Sequence, residues 1–166
     1  MVGIRQRHTQ DYYIAKEGKY RPISGYEFPL GATLYGINIA KEDIKKTKEV
    51  VLFEGEKSVM KYNSLYDNNN SIAVFGSNIS YQQIGLLQSL EVKTVVLAFD
   101  KDYEEIESSE AIEYRQKLDK LVDKLRLHFD VKLTWDNDGL LGYKSSPIDC
   151  GKDIFDRLYE TSNVYI

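Results

Sequence analysis

Three short apolar runs, each followed by a turn and a helix-length segment, constrain this chain more than any other feature. They are VVLF at 50–53, IAVF at 72–75 and TVVLAF at 94–99. Apart from Thr94 at the head of the third, each run is apolar, without the polar–apolar alternation of a strand that faces water on one side, so each reads as a strand buried on both faces. The intervening segments, Lys57 to Tyr66 and Tyr81 to Leu90, are long enough for one helix each, and Ser80 stands at the N-cap position of the second. Strands alternating with helices predict parallel βαβ crossovers and a doubly wound α/β sheet.

In such sheets ligands gather beyond the carboxyl ends of the strands. Two of the three runs end in carboxylates. Glu54 follows the first run and is succeeded by Gly55; Asp100-Lys101-Asp102 follows the third. Either acid alone is also what an ordinary solvated loop supplies. Residues two apart in an extended segment face the same way, so Asp100 and Asp102 can converge on one ion. Together with Glu54 they are expected to share one acidic pocket. Hard oxygen ligands of this kind suit Mg²⁺ or Mn²⁺, with water and substrate phosphates completing the shell.

Elsewhere the chain is mixed. Arg5 and Arg7 have the period-two spacing of one strand face, and Gly18 and Pro22 punctuate the segment after them. Lys41 to Glu49 is compatible with a short helix whose inward contacts are Ile39 and Ile44. The run DNNNS at 67–71 reads as a loop, and the Gly76-Ser77 turn offers backbone N–H groups to a phosphate. Ser109 to His128 reads as one long amphipathic helix with Ile112, Leu118, Leu121, Leu125 and Phe129 on its apolar stripe. Val131 to Trp135 reads as a further strand, with Trp135 as sheet cover in preference to a base-stacking platform.

Composition narrows the class. The 166 residues are 42% hydrophobic and 29% charged, and no apolar run approaches the roughly 20 residues that span a membrane. The N-terminus lacks the apolar stretch of a signal peptide, and the single Cys150 excludes an internal disulfide and a cysteine zinc cluster. A reducing cytoplasm is the expected compartment. Residues 1–50 carry nine Lys/Arg against six Asp/Glu, whereas the remainder carries thirteen against twenty. A bound metal ion reconciles an acidic site with a polyanionic substrate, because it inverts the local electrostatics.

The order of EG at one strand end, a glycine turn, and DxD at another resembles the TOPRIM domain shared by DnaG-type primases, type IA and type II topoisomerases and several nucleases. The flanks are similar to DnaG-type primases in particular. GIRQR resembles their GFRGR-like segment, GKYRPI their lysine-tyrosine segment, and FPLGATLYGINIA the stretch ending in LYGL-x-x-A. FGSNISYQQIGLLQSL resembles the LGTxL…Q…LL element, and SPIDCGKDIFDRL the terminal DPD…G…F region. The resemblance covers nearly the whole chain, in order, and is similar to short primase-like proteins of phages of Gram-positive bacteria.

The resemblance implies a TOPRIM-like, Rossmann-like, mostly parallel sheet flanked by helices, with a small mixed N-terminal segment. The implied boundary separates 1–48 from a TOPRIM domain with a C-terminal extension at 49–166. The implied activity is metal-dependent nucleotidyl transfer, making RNA primers from NTPs on single-stranded DNA in a bacterial host cytoplasm. A replicative helicase or other replisome protein is an implied partner. Glu54, Asp100 and Asp102 match the catalytic and metal-binding acids, and Asp149 matches the second acid of DPD as a further metal ligand. Arg5, Arg7, Lys19, Lys57 and Lys101 are the implied nucleotide- or nucleic-acid-binding residues. The sequence departs from the family pattern at Lys101, where a glycine is usual; at Tyr103-Glu104, where alanine-glycine is usual; at Ser58 and Leu30; and at Ser145 or Ser146, which replaces the first acid of DPD. Lys101 either neutralises the site or pairs with a substrate phosphate. A TOPRIM nuclease, and a degenerate TOPRIM that binds nucleic acid or a replisome partner without turnover, are the alternatives.

Overall fold

A computed structural model describes residues 3–166 of the chain. They fall into two compact units, divided between Leu30 and Gly31. This differs from the expected boundary at 48/49. The reason is a helix, α2 (Ile37–Thr47), whose Ala40 and Ile44 are fully buried in the core of the larger unit. Ile39, expected to point inward, is instead 60% exposed, and Ala40 takes the inward position one residue on.

The smaller unit holds β1 (Arg5–Arg7), α1 (Asp11–Glu17) and β2 (Tyr20–Pro22). The two strands pair antiparallel, with Arg7 opposite Tyr20 and Arg5 opposite Pro22. Gly18, at a φ of 83°, ends α1 in a conformation that other residues adopt only at a cost.

The larger unit continues from α2 through β3 (Glu49–Phe53), α3 (Glu56–Leu65), β4 (Ser71–Ala73), α4 (Tyr81–Ser89), β5 (Thr94–Leu97), α5 (Ser109–Leu125), β6 (Asp130–Leu133), α6 (Lys152–Glu160) and β7 (Asn163–Tyr165). Its sheet has the order β4-β3-β5-β6-β7. The first four strands in this order run parallel, and β7 closes one edge antiparallel. Alternation along β3 sends Val50 and Leu52 to one face and Val51 and Phe53 to the other. Ile44, Leu87, Leu121 and Leu125 from α2, α4 and α5 cover the first face, and Val59, Tyr62 and Phe155 from α3 and α6 cover the second. Helices on both sides explain why the strand sequences are continuously apolar. Each fully buried large side chain contributes roughly 1.5–3 kcal/mol.

Ser80 caps α4 as expected from sequence: its Oγ accepts from the Gln83 N–H while the Gln83 side chain accepts from the Ser80 N–H. On α5 the buried row is Ala111, Tyr114, Leu118, Leu121, Val122 and Leu125, whereas Ile112 is 57% exposed. The inward stripe therefore starts one residue earlier than the leucine spacing suggests. Trp135 packs against the core and stacks on Tyr103 and Tyr114, which makes it a cover for the sheet. No helix among the described residues is long and apolar enough to cross a membrane.

Candidate active site

The strand order places a topological switch point at β3. The chain crosses from β3 to β4 on one side, then passes through α4 to β5 on the other side of β3. The loops leaving β3 and β5 therefore diverge, the position at which open α/β sheets form their ligand crevice. Glu54 is the first residue beyond β3, and Asp100 lies three residues beyond the end of β5. Backbone bonds hold both exits. The Val74 N–H donates to the Phe53 carbonyl at 3.1 Å, the Gly76 N–H to the Glu54 carbonyl at 3.0 Å, and the Ala98 N–H to the Leu52 carbonyl at 2.9 Å. The turn beside Glu54 carries strain: Phe75 sits at a φ of 66°, a region costing a bulky residue on the order of 1 kcal/mol.

The Asp100–Asp102 segment is clasped from two sides. The Tyr114 hydroxyl of α5 donates to the Asp100 carbonyl at 2.6 Å. The Lys101 N–H donates to the Ser145 carbonyl at 2.9 Å, and the Lys144 N–H to the Lys101 carbonyl at 2.7 Å. The Lys144 ammonium also forms an ion pair with Asp102.

Electrostatics ties the three carboxylates together. Burial pushes Glu54 up from 4.5 to about 7, helped by Asp100 and Asp102 and opposed by Lys117 and Lys144. Tyr114 is pushed up as well, first by burial and then by Glu54, Asp100 and Asp102 in that order. Glu54 and Tyr114, on different elements, thus both feel Asp100 and Asp102, and Tyr114 feels Glu54 as well. A carboxyl poised near neutrality in a crevice is the kind of perturbation that marks functional sites.

Other expected site residues are placed differently. Lys101 does not reach toward an anion at the surface. Its side chain is 4% exposed, and the ammonium donates to Asp136 Oδ2 and to the Leu141 carbonyl, both at 3.0 Å. Asp136 in turn accepts the Leu140 and Leu141 N–H groups. Buried and committed to these two acceptors, the ammonium is not presented to a phosphate at the surface. Asp149, in a 3₁₀ turn at Pro147–Cys150, sits with the lysines of α3: Lys57 Nζ is 3.0 Å from its Oδ1, and Lys61 Nζ donates to its carbonyl at 2.7 Å. It is not among the charges acting on Glu54, which are Asp100, Asp102, Lys117 and Lys144. In the smaller unit Arg5 and Arg7 share one strand face, as their spacing requires, and both guanidiniums lie over the Tyr20 ring at 5.0 and 5.6 Å. Lys19 is exposed. Sequence reasoning missed Lys117, Tyr114, Asp136 and Lys144. No local signal marks Asp136 or Lys144, but Tyr114 and Lys117 stand three apart on a helix, a spacing that puts them on one face.

The donor chemistry fits a hard divalent cation: three carboxylates, close enough to raise the proton affinity of one of them. Among the described residues, however, no three His, Cys, Asp or Glu side chains are gathered tightly enough to hold an ion. Lys144 serves Asp102 as counter-cation instead.

Comparison with solved structures places the fold. The Aquifex aeolicus primase, in its zinc-binding and RNA polymerase domains, superposes with a TM-score of 0.71 at 22% identity, over 99% of this chain and 38% of that one. The fold is that of a DnaG-type primase catalytic domain. The RNA polymerase domain of Mycobacterium tuberculosis primase DnaG, in complex with a double-stranded DNA oligomer with a 6-nucleotide overhang, gives a TM-score of 0.68 at 22% identity, over 97% of this chain and 49% of that one. By sequence, the SPbeta prophage-derived uncharacterized protein YorJ of Bacillus subtilis is 35% identical over 170 residues, 95% of this chain and 45% of that protein. The DNA primase of Campylobacter jejuni is 33% identical over 75 residues, 45% of this chain and 12% of the primase. The chain thus spans less than half the length of either relative. No protein-family model matches it.

Proposed function

We infer that this chain is the catalytic module of a phage-type DNA primase, joining NTPs into RNA primers on single-stranded DNA with Mg²⁺ or Mn²⁺ in a bacterial cytoplasm. One observation carries the reading: Glu54, Asp100 and Asp102 act on one another at the switch point of a sheet with the primase catalytic fold. Glu54 and Asp100 would hold the ion, and Asp102 would join them on exchanging its Lys144 partner. When bound, the ion supplies charge neutralisation for the transferred phosphoryl group and alignment of the triphosphate.

The remaining roles belong to the chain itself. Tyr114 fixes the backbone at Asp100, and the Lys101–Asp136 pair anchors the segment between the two aspartates from below. Lys144, released from Asp102, is a cation for substrate phosphate. Asp149 orients Lys57 toward the same task. On the smaller unit, Arg5, Arg7 and Lys19 offer positive charge to template phosphates, the two arginines being stiffened by stacking on Tyr20.

De novo primer synthesis on a single-stranded template, with NTPs and either Mg²⁺ or Mn²⁺, tests this. Product that requires NTPs and falls at least about a hundredfold in Asp100→Asn, roughly 3 kcal/mol of transition-state stabilisation, is the expected result. Metal-dependent cleavage of the template without synthesis would replace it with the nuclease reading. Neither reaction, with no calorimetric Mg²⁺ or Mn²⁺ binding, would leave a fold kept for contact alone.

A further inference from the structure

Outside the acidic crevice, a groove of about 380 Å³ is lined by Ser77, Asn78, Lys117, Lys120, Leu121 and Lys124. Its cationic wall is one face of α5. Positions 117, 120 and 124 fall within about 60° of one another around the helix axis, and the row runs about 10 Å along it. None of these three lysines belongs to an ion pair among the described residues. The aspartates interspersed on the same helix are taken by arginines, Asp119 by Arg115 and Asp123 by Arg126. The row therefore presents positive charge that no ion pair among the described residues engages, in a chain whose net charge is −4.

The groove begins at the acidic crevice. Its opposite wall, Ser77 and Asn78, follows Gly76, whose N–H bonds the Glu54 carbonyl at 3.0 Å. Lys117 lowers the proton affinity of Glu54 and sits over the ring of Tyr114, whose hydroxyl holds the Asp100 carbonyl. At the far end Lys124 donates to the Ile79 carbonyl at 2.5 Å and lies 4.5 Å from the centroid of Tyr81, a ring that is 73% exposed.

We propose that this groove seats the phosphodiester backbone of a single strand of nucleic acid as it passes the acidic site. A line of evenly spaced point charges suits a backbone that repeats its own charge, and an exposed aromatic at the end of the line offers a base a stacking platform; single-strand binders combine these two features. A triphosphate gathers its charge at one end of the nucleotide, whereas the row spreads positive charge over about 10 Å. Lysines, lacking the fork of arginine, give contact without base preference. The inference rests on the nucleic-acid substrate assigned above, and it adds a track that neither the acids nor the N-terminal arginines provide.

The test is fluorescence anisotropy with a labelled oligothymidine of about twelve nucleotides across a salt series. It compares wild type with Lys117→Ala/Lys120→Ala/Lys124→Ala, with Lys120→Ala alone, and with Tyr81→Ala. Each lysine that neutralises one phosphate contributes about 0.7 to the slope of log affinity against log salt for a single strand. The triple variant should bind at least about tenfold more weakly, with a slope shallower by about 2. Lys120→Ala, whose ammonium makes no ion pair among the described residues, should lose about 0.7 of slope while melting at the wild-type temperature. Tyr81→Ala should weaken binding with the slope unchanged. Wild-type slopes in the triple and Lys120→Ala variants would overturn the groove and leave the primase reading standing. Loss of ATP binding with oligonucleotide binding intact would overturn it in favour of a triphosphate site. A wild type that binds no oligonucleotide would overturn both the groove and the primase reading.

Discussion

Glu54→Gln should stabilise the protein, and only above neutral pH. Burial and the two aspartates lift the Glu54 carboxyl from 4.5 to about 7, so the folded state holds a proton that the unfolded chain releases. Below pH 4.5 both states are protonated and the residue costs nothing. Between 4.5 and about 7 the unfolded state ionises first, so stability falls as pH rises; above 7 the whole penalty is present. At 1.36 kcal/mol per pH unit the penalty has a ceiling of about 3 kcal/mol, and the solvent that still reaches Glu54 reduces it to about 2. Glutamine keeps the shape and removes the ionisation. The variant should therefore match wild type near pH 4 and exceed it by about 2 kcal/mol at pH 8–9. For a chain of this size that is a Tm higher by about 4–8 °C. Urea unfolding followed by circular dichroism at pH 4, 6 and 8.5 measures it. An equal shift at all three values, or destabilisation at pH 8.5, would refute the raised proton affinity of Glu54 that burial and the two aspartates produce.

The ion pairs give two more expected outcomes. Asp136→Ala strands the Lys101 ammonium in the interior and should cost about 3–5 kcal/mol in urea unfolding, whereas Lys101→Met/Asp136→Leu should recover most of it. A single variant no worse than the double would contradict that placement. Lys144→Met removes an exposed partner and should change stability by less than about 1 kcal/mol, while tightening Mn²⁺ binding in a calorimetric titration because Asp102 loses its competing cation. Unchanged Mn²⁺ affinity would count against Asp102 as a ligand.

The elements of the sheet were legible because their signal is local. A strand buried on both faces must be apolar at every position, and β3 and β5 appear within a residue or two of their expected bounds. Ser80 was legible for the same reason, since a cap acts three residues away. Helix faces were read less well. Ile39 and Ile112 looked inward by composition, but the helix phase is set by the larger neighbours the helix meets, and Ala40 and Ala111 fill the close contacts instead. The domain boundary moved for a related reason: α2 carries five charged residues in eleven, and only its two buried residues reveal the core to which it belongs.

For the site, the sequence by itself determined which carboxylates stand at strand ends, because chain order and the apolar runs dictate where the parallel strands must stop. Only the tertiary structure decided how the charges are shared among them. Lys101 lies between two acids in sequence, yet its ammonium is neutralised by Asp136, thirty-five residues on. Asp102 is paired with Lys144, forty-two residues on, and Asp149 with the lysines of α3. Local periodicity says which way a backbone runs and which face a residue takes. The partner of a charge depends on which loops fold back over the strand ends, and the low dielectric there makes that choice costly to reverse.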